Sequence, residues 1–89
     1  MSELNRLREQ IDNIDSQIVR LLCERFDAVK NVGEYKKVNG LEILQKSREA
    51  EIFNKIAENA QDYNNYVKEI YIKILETSKS LQGGINGTQ

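Results

Sequence analysis

Apolar residues in the first quarter of the chain fall at Leu4, Leu7, Ile11, Ile14, Ile18 and Leu21, in steps of three and four. That spacing marks one face of an α-helix. Leu22, Phe26, Val29 and Val32 carry the face onward, and no proline interrupts it. The pattern predicts one helix over residues 4–38. Ser2 is its expected N-cap, with Glu3 in the first turn, where the helix dipole favours an anion. Such a helix is about 50 Å long, whereas a compact chain of this size measures about 30 Å across. Its far end must therefore fray in water or be covered by a second chain, and a second chain is the expectation. Gly33, near the end of the helix, costs about 1 kcal/mol relative to alanine, a tolerable amount in so long an element.

Asn39-Gly40 is a stop and turn signal. Leu41, Ile43 and Leu44 in the connection that follows are expected to turn inward. Ser47 should cap a second helix over 48–59, with Ile52, Phe53, Ile56 and Ala57 on its buried face. A second break over 59–62 leads to a third helix, capped by Asp62 and running to about Gln82. Its apolar positions are Tyr66, Val67, Ile70, Tyr71, Ile74, Leu75 and Leu81. The last stretch, 83–89, has three of the five glycines and no periodicity, and is expected to be a mobile tail. The fold class read from this pattern is all-α: one very long N-terminal helix and two shorter ones, with a single domain over 1–82.

Composition narrows the functional classes. Thirteen basic and 14 acidic residues leave a net charge of −1, which advertises neither nucleic acid nor a membrane surface as partner. Any role for the cations must come from where they converge. Cys23 stands alone and histidine is absent, so an internal disulfide, a zinc cage and any His-activated nucleophile are excluded. No stretch resembles a signal peptide or reaches membrane-spanning length, so the expected location is the cytoplasm. Asn86-Gly87-Thr88 matches a glycosylation acceptor, which carries no weight without a secretory signal.

Candidate chemistry lies where polar residues interrupt or flank the apolar stripes. Arg25 and Lys36 are eleven residues apart, which returns them to within about 20° of one face and about 16 Å along it. Glu49 stands three before Ile52, four before Phe53 and seven before Ile56, on a face that should be buried, with Arg48 at its border. Taken locally, a first-turn glutamate is more simply a helix-end or surface residue. Ser78 replaces an apolar residue in the stripe Val67, Ile70, Ile74, Leu81, and Gln82 follows one turn later. A serine so placed is more often a hydrogen-bonded packing residue than a ligand, and a glutamine at a helix end is usually just solvated. Arg8 precedes Lys36 by 28 residues, about 42 Å on a straight helix. One small ligand cannot touch both from the same chain. Arg8 is therefore either a partner's contribution or an exposed residue in a surface ion pair.

These positions together resemble the all-helical class of chorismate mutases. The resemblance runs from Leu4 to Gln82. It begins with Leu7-Arg8-Glu9-Gln10-Ile11-Asp12-Asn13-Ile14-Asp15, continues through Leu21-Leu22-Cys23-Glu24-Arg25 and Val32-Gly33-Glu34-Tyr35-Lys36, then Arg48-Glu49, and closes on Ser78 and Gln82. Each piece alone is weak; the ordered set at matching spacings is more specific.

The resemblance implies an intertwined helical homodimer with two sites, each using both chains. It implies that Arg25 and the partner's Arg8 bind the substrate carboxylates, with Arg48 lining the same pocket. Lys36 and Gln82 would donate to the ether oxygen of the enolpyruvyl group, Glu49 would accept from the ring hydroxyl, and Ser78 would sit nearby. No metal or other cofactor is implied, and the expected enzyme is monofunctional. Chorismate to prephenate is an intramolecular [3,3] rearrangement that needs neither nucleophile nor proton transfer, which suits a chain without histidine. Some members carry glutamate at the Gln82 position, which must be protonated to donate; glutamine donates at any pH. The chain departs from relatives at Gln45, where an acidic residue is common, and at Lys46-Ser47, where a proline is common. The loop over 39–47 is therefore expected to order only on ligand binding. Two alternatives remain open: isochorismate pyruvate lyase on the same fold, and a non-catalytic helical dimerisation module, since the spacing from Leu4 to Leu21 also suits a coiled coil. A scaffold leaves the interruptions at Glu49 and Ser78 without a reason.

Overall fold

The structure, a computed structural model, describes residues 2–42 and 46–83. Among them there are three α-helices, α1 (Ser2–Asn39), α2 (Lys46–Asn59) and α3 (Asn64–Gly83), with a single 3₁₀ turn at Gln61–Tyr63 and no strand. The class is all-α. No helix among the described residues is long and apolar enough to cross a membrane.

The 38 residues of α1 set the molecule's long axis, 56 Å against 24 and 17 Å in the other directions. The radius of gyration is 16.4 Å, where a compact chain of this length has about 12 Å. Helix α3 is the hub, packing against both α1 and α2. The buried apolar side chains are Val29, Ile56 and Leu75, one from each helix, joined by Gly33 and Ser78. Leu22, Phe26, Ile52, Phe53, Val67, Tyr71 and Ile74 are half-buried around them. So few buried side chains are a thin core for a domain at the lower limit of self-sufficiency.

Helix α1 ends as its sequence dictates. Gly40 takes φ +68°, its N–H reaches Lys37 O at 3.4 Å, and the Leu41 N–H reaches Lys36 O at 2.8 Å. This is the Schellman pairing, and a left-handed residue there is cheap only as glycine. The break after α2 is less expected, because Gln61 occupies the left-handed region at φ 55°. Ala60 N–H to Ile56 O at 2.8 Å and Tyr63 N–H to Ala60 O at 2.9 Å hold the chain through it.

Several local expectations are corrected. Asp62 does not cap α3; it lies inside the 3₁₀ turn, and α3 starts two residues later. Ser47 is the second residue of α2 rather than its cap, and Ser2 is already helical. Leu41 is 48% exposed, so it does not turn inward. Ile43, Leu44 and Gln45, like the 84–89 tail, lie outside the described residues. Ala57 of α2 and Tyr66, Ile70 and Leu81 of α3 are exposed, because each helix turns toward its neighbours a narrower apolar stripe than its sequence offers. The stripe Leu4 to Leu21 is 40–57% exposed, as expected of a helix that outruns the globule its own chain forms.

Candidate active site

Between the C-terminal half of α1, the start of α2 and the end of α3 lies a groove of about 540 Å³, within the range of small-molecule sites. Arg25, Lys36, Arg48, Glu49, Ser78 and Gln82 all line it. Apolar walls come from Val29, Val32, Ile52 and Leu75. Arg8 does not reach it. Arg8 is exposed on α1, 17 residues before Arg25, about 26 Å along the helix.

Two cross-helix hydrogen bonds give the groove its geometry. Arg25 Nη1 donates to Ser78 Oγ at 2.7 Å, and Ser78 Oγ in turn donates to Ile74 O at 2.7 Å. The only hydroxyl proton of Ser78 is thus spent on its own helix, and its oxygen fixes the arginine. At 5% exposure, Ser78 holds Arg25 in place rather than presenting a donor to a ligand. The Arg25 guanidinium carbon also stands 5.7 Å from the centre of the Tyr71 ring, a cation–π approach. With one of five N–H groups committed to Ser78, the remainder can serve an anion.

Near the other end, Lys36 Nζ donates to Gln82 Oε1 at 2.9 Å. An ammonium has no acceptor capacity, so the contact decides the orientation of the amide: oxygen toward Lys36, Nε2 left as a donor. The helices can approach this closely because of Gly33. A Cβ built there would stand 2.9 Å from Gln82 Cα and 3.1 Å from Gln82 O. Those are backbone atoms, so a side chain at 33 would push α3 and Gln82 away from Lys36. In the sequence alone Gly33 shows only as a cost to the helix. The available signal was its place three residues before Lys36 in a helix otherwise free of glycine.

The third corner is charged. Lys79 Nζ lies 3.3 Å from Glu49 Oε2, tying α3 to the first turn of α2. Lys79 was also missed by sequence reasoning, because it falls beside the apolar stripe rather than on it. Arg48 Nη1 sits 3.1 Å from Glu51 Oε1, an exposed pair on one helix, weak enough for a ligand to displace. The groove is lined by four cations, Arg25, Lys36, Arg48 and Lys79, and two carboxylates, Glu49 and Glu51, a net charge of +2. It suits a small anion with more than one negative group. Among the described residues no cluster of Cys, Asp and Glu is placed to hold a metal ion. A second cavity of about 480 Å³ between α2 and α3 shares Arg25 and Arg48 with the groove and adds Lys55, Asn59 and Tyr71.

The chorismate mutase type II family profile matches residues 7–83. A bifunctional chorismate mutase/prephenate dehydratase of Aquifex aeolicus is 40% identical over 88 residues, covering 92% of this chain and 24% of that protein. A chorismate mutase of Methanocaldococcus jannaschii is 32% identical over 85 residues, covering 92% of this chain and 86% of that one. An intracellular chorismate mutase of Mycobacterium tuberculosis is 32% identical over 60 residues, covering 67% of this chain and 57% of that one. The chain thus spans about a quarter of the bifunctional relative and most of the stand-alone archaeal one. No solved structure gives a significant match.

Proposed function

The chain belongs to the chorismate mutase type II family, and we propose that it converts chorismate to prephenate as a homodimer whose two sites each draw on both chains. One observation carries this reading. Six polar side chains of the resemblance line one cationic groove, while Arg8 lies far from it on an exposed stretch of α1 that no other described residue buries. A second copy laid along that stretch supplies Arg8 in trans.

The groove needs no covalent chemistry to act. Chorismate carries two carboxylates, and Arg25, Arg48 and the partner's Arg8 hold them, selecting the compact diaxial conformer from which the rearrangement proceeds. Restricting conformers in this way removes much of the entropic barrier. As the ether C–O bond lengthens, negative charge grows on its oxygen. Lys36 Nζ and Gln82 Nε2 are the donors that meet it, each preset by their mutual hydrogen bond. A donor fixed in advance costs no reorganisation and contributes about 3 kcal/mol. Glu49 accepts from the ring hydroxyl. The exposed, unpaired thiol of Cys23 fits a reducing compartment, and the cytoplasm is the proposed location.

The test is direct. Purified protein is given chorismate or isochorismate in separate reactions and the products are identified. Prephenate from chorismate supports the reading; salicylate and pyruvate from isochorismate would assign the lyase instead, and neither product would leave a scaffold. In parallel, a bicyclic dicarboxylate that mimics the transition state raises the melting temperature, because a ligand bound only by the folded dimer stabilises it.

A further inference from the structure

Among the described residues there are five ion pairs. Four join residues three or four apart on a single helix, with side chains 59% or more exposed. The fifth, Lys79 with Glu49, is different in kind. It spans two helices across the mouth of the groove, and its side chains are only 41% and 29% exposed. A glutamate in the first turn of α2 has a competing partner close by, the unsatisfied N–H groups and positive end of its own helix. Lys79 draws it the other way, across to α3. The contact engages Oε2 and leaves Oε1 to accept from a ligand.

From this geometry we infer that Lys79 is a positioning residue that aims the Glu49 carboxylate into the groove and thereby sets its preference for a hydroxylated ring. The inference rests on the chorismate reading of the same site and names a residue that reading does not use. Two physical consequences follow from the placement. A carboxylate facing a dianionic guest repels it, and a cation 3.3 Å away cancels most of that repulsion while leaving a lone pair to accept. The backbone of Lys79 is also firmly registered, since it lies between Ser78 and Gln82, the two α3 residues that bond to α1. The aim of Glu49 is therefore tied to the same α1–α3 contact that presets Lys36 and Gln82.

The experiment measures binding, which does not require turnover. Calorimetry compares a bicyclic transition-state mimic bearing the ring hydroxyl with the same dicarboxylate lacking it. The proteins are wild type, Lys79→Met, Lys79→Arg, Glu49→Gln and the double variant Glu49→Gln/Lys79→Met. Wild type favours the hydroxylated ligand about ten-fold or more, as for a hydrogen bond to a charged group. Lys79→Met reduces that ratio to about three-fold or less, Lys79→Arg restores it, and adding Lys79→Met to Glu49→Gln changes the ratio no further. A Lys79→Met protein that binds both ligands more weakly but keeps the wild-type ratio overturns the inference while leaving the chorismate reading intact. So does an undiminished effect of Lys79→Met on the ratio in the Glu49→Gln background. Wild-type protein that binds neither ligand overturns the chorismate reading, and the role of Lys79 with it.

Discussion

From Leu4 to Leu21 the apolar stripe of α1 is 40–57% exposed at all six of its positions, whereas further along the same helix Leu22 and Phe26 are half-buried, Val29 and Gly33 are buried, and Val32, on the wall of the groove, is 45% exposed. The period is the same in both halves. What differs is the company: the second half interleaves Arg25 and Lys36 with its apolar residues, and the chain's own α3 packs against it. The first half presents a nearly pure aliphatic stripe of isoleucine and leucine, which the other described residues leave exposed. A contiguous stripe of that length on a folded protein marks an interface, and its pattern suits a helix of another copy. On the proposed reading one helix serves two purposes, with the candidate groove at one end and, at the other, the surface that would bring Arg8 to a partner's groove.

The sharpest way to break this comparison is to charge the uncovered half. Ile14→Asp places a carboxylate in the middle of the stripe, and the dimer should dissociate, taking both sites with it. Sedimentation should report a single copy and turnover should vanish, while Ile14→Leu behaves as wild type. An Ile14→Asp protein that keeps full activity would show that the stripe covers nothing. Lys36→Ala acts on the other half. Turnover should fall by about 10²–10³-fold, with the mass in solution unchanged; a scaffold would lose nothing.

Smaller effects test how the covered half is built. Gly33→Ala forces a methyl against the Gln82 backbone at 2.9 Å, and overpacking of this kind destabilises by about 1–3 kcal/mol. Because the displaced residue is Gln82, turnover should fall more than the melting temperature alone explains; a stable, fully active Gly33→Ala protein would remove the glycine from the account. The smallest expected change is none at all. With an amide as second donor, turnover should stay level from mildly acidic to mildly alkaline conditions, whereas Gln82→Glu should be active only toward acid, where the carboxyl is protonated. A steep loss in the wild-type protein between about pH 5 and 7 would contradict the donor role of Gln82, since an amide does not titrate there.

How far the sequence revealed this arrangement follows from which physics was local. The three helices, the all-α class and the stop at Asn39-Gly40 were legible, because spacing and a left-handed glycine act over a few residues. The interruptions at Glu49 and Ser78 were visible as anomalies before any packing was known. The fate of the stripes was not visible, because Ile14 and Val29 sit in equivalent patterns and only tertiary packing separates them. Nor was Lys79, whose importance comes from reaching 30 residues back to Glu49, or Gly33, whose absent side chain matters only because α3 lies there. The entry into α3 misled for a related reason: Asp62 is a good cap by type, but Gln61 takes the left-handed turn and carries the chain through a 3₁₀ segment first.

The central claim is that the uncovered half of α1 brings Arg8 to a partner's groove, and mixing two disabled chains tests it most directly. Arg8→Ala and Lys36→Ala proteins are each inactive alone, are unfolded together and refolded at equal concentration, and their turnover is measured. Random pairing in a twofold-symmetric dimer puts both intact residues together in about a quarter of all grooves, so about a quarter of wild-type activity should return. Heterodimers that form and stay as inactive as their parents would contradict the claim.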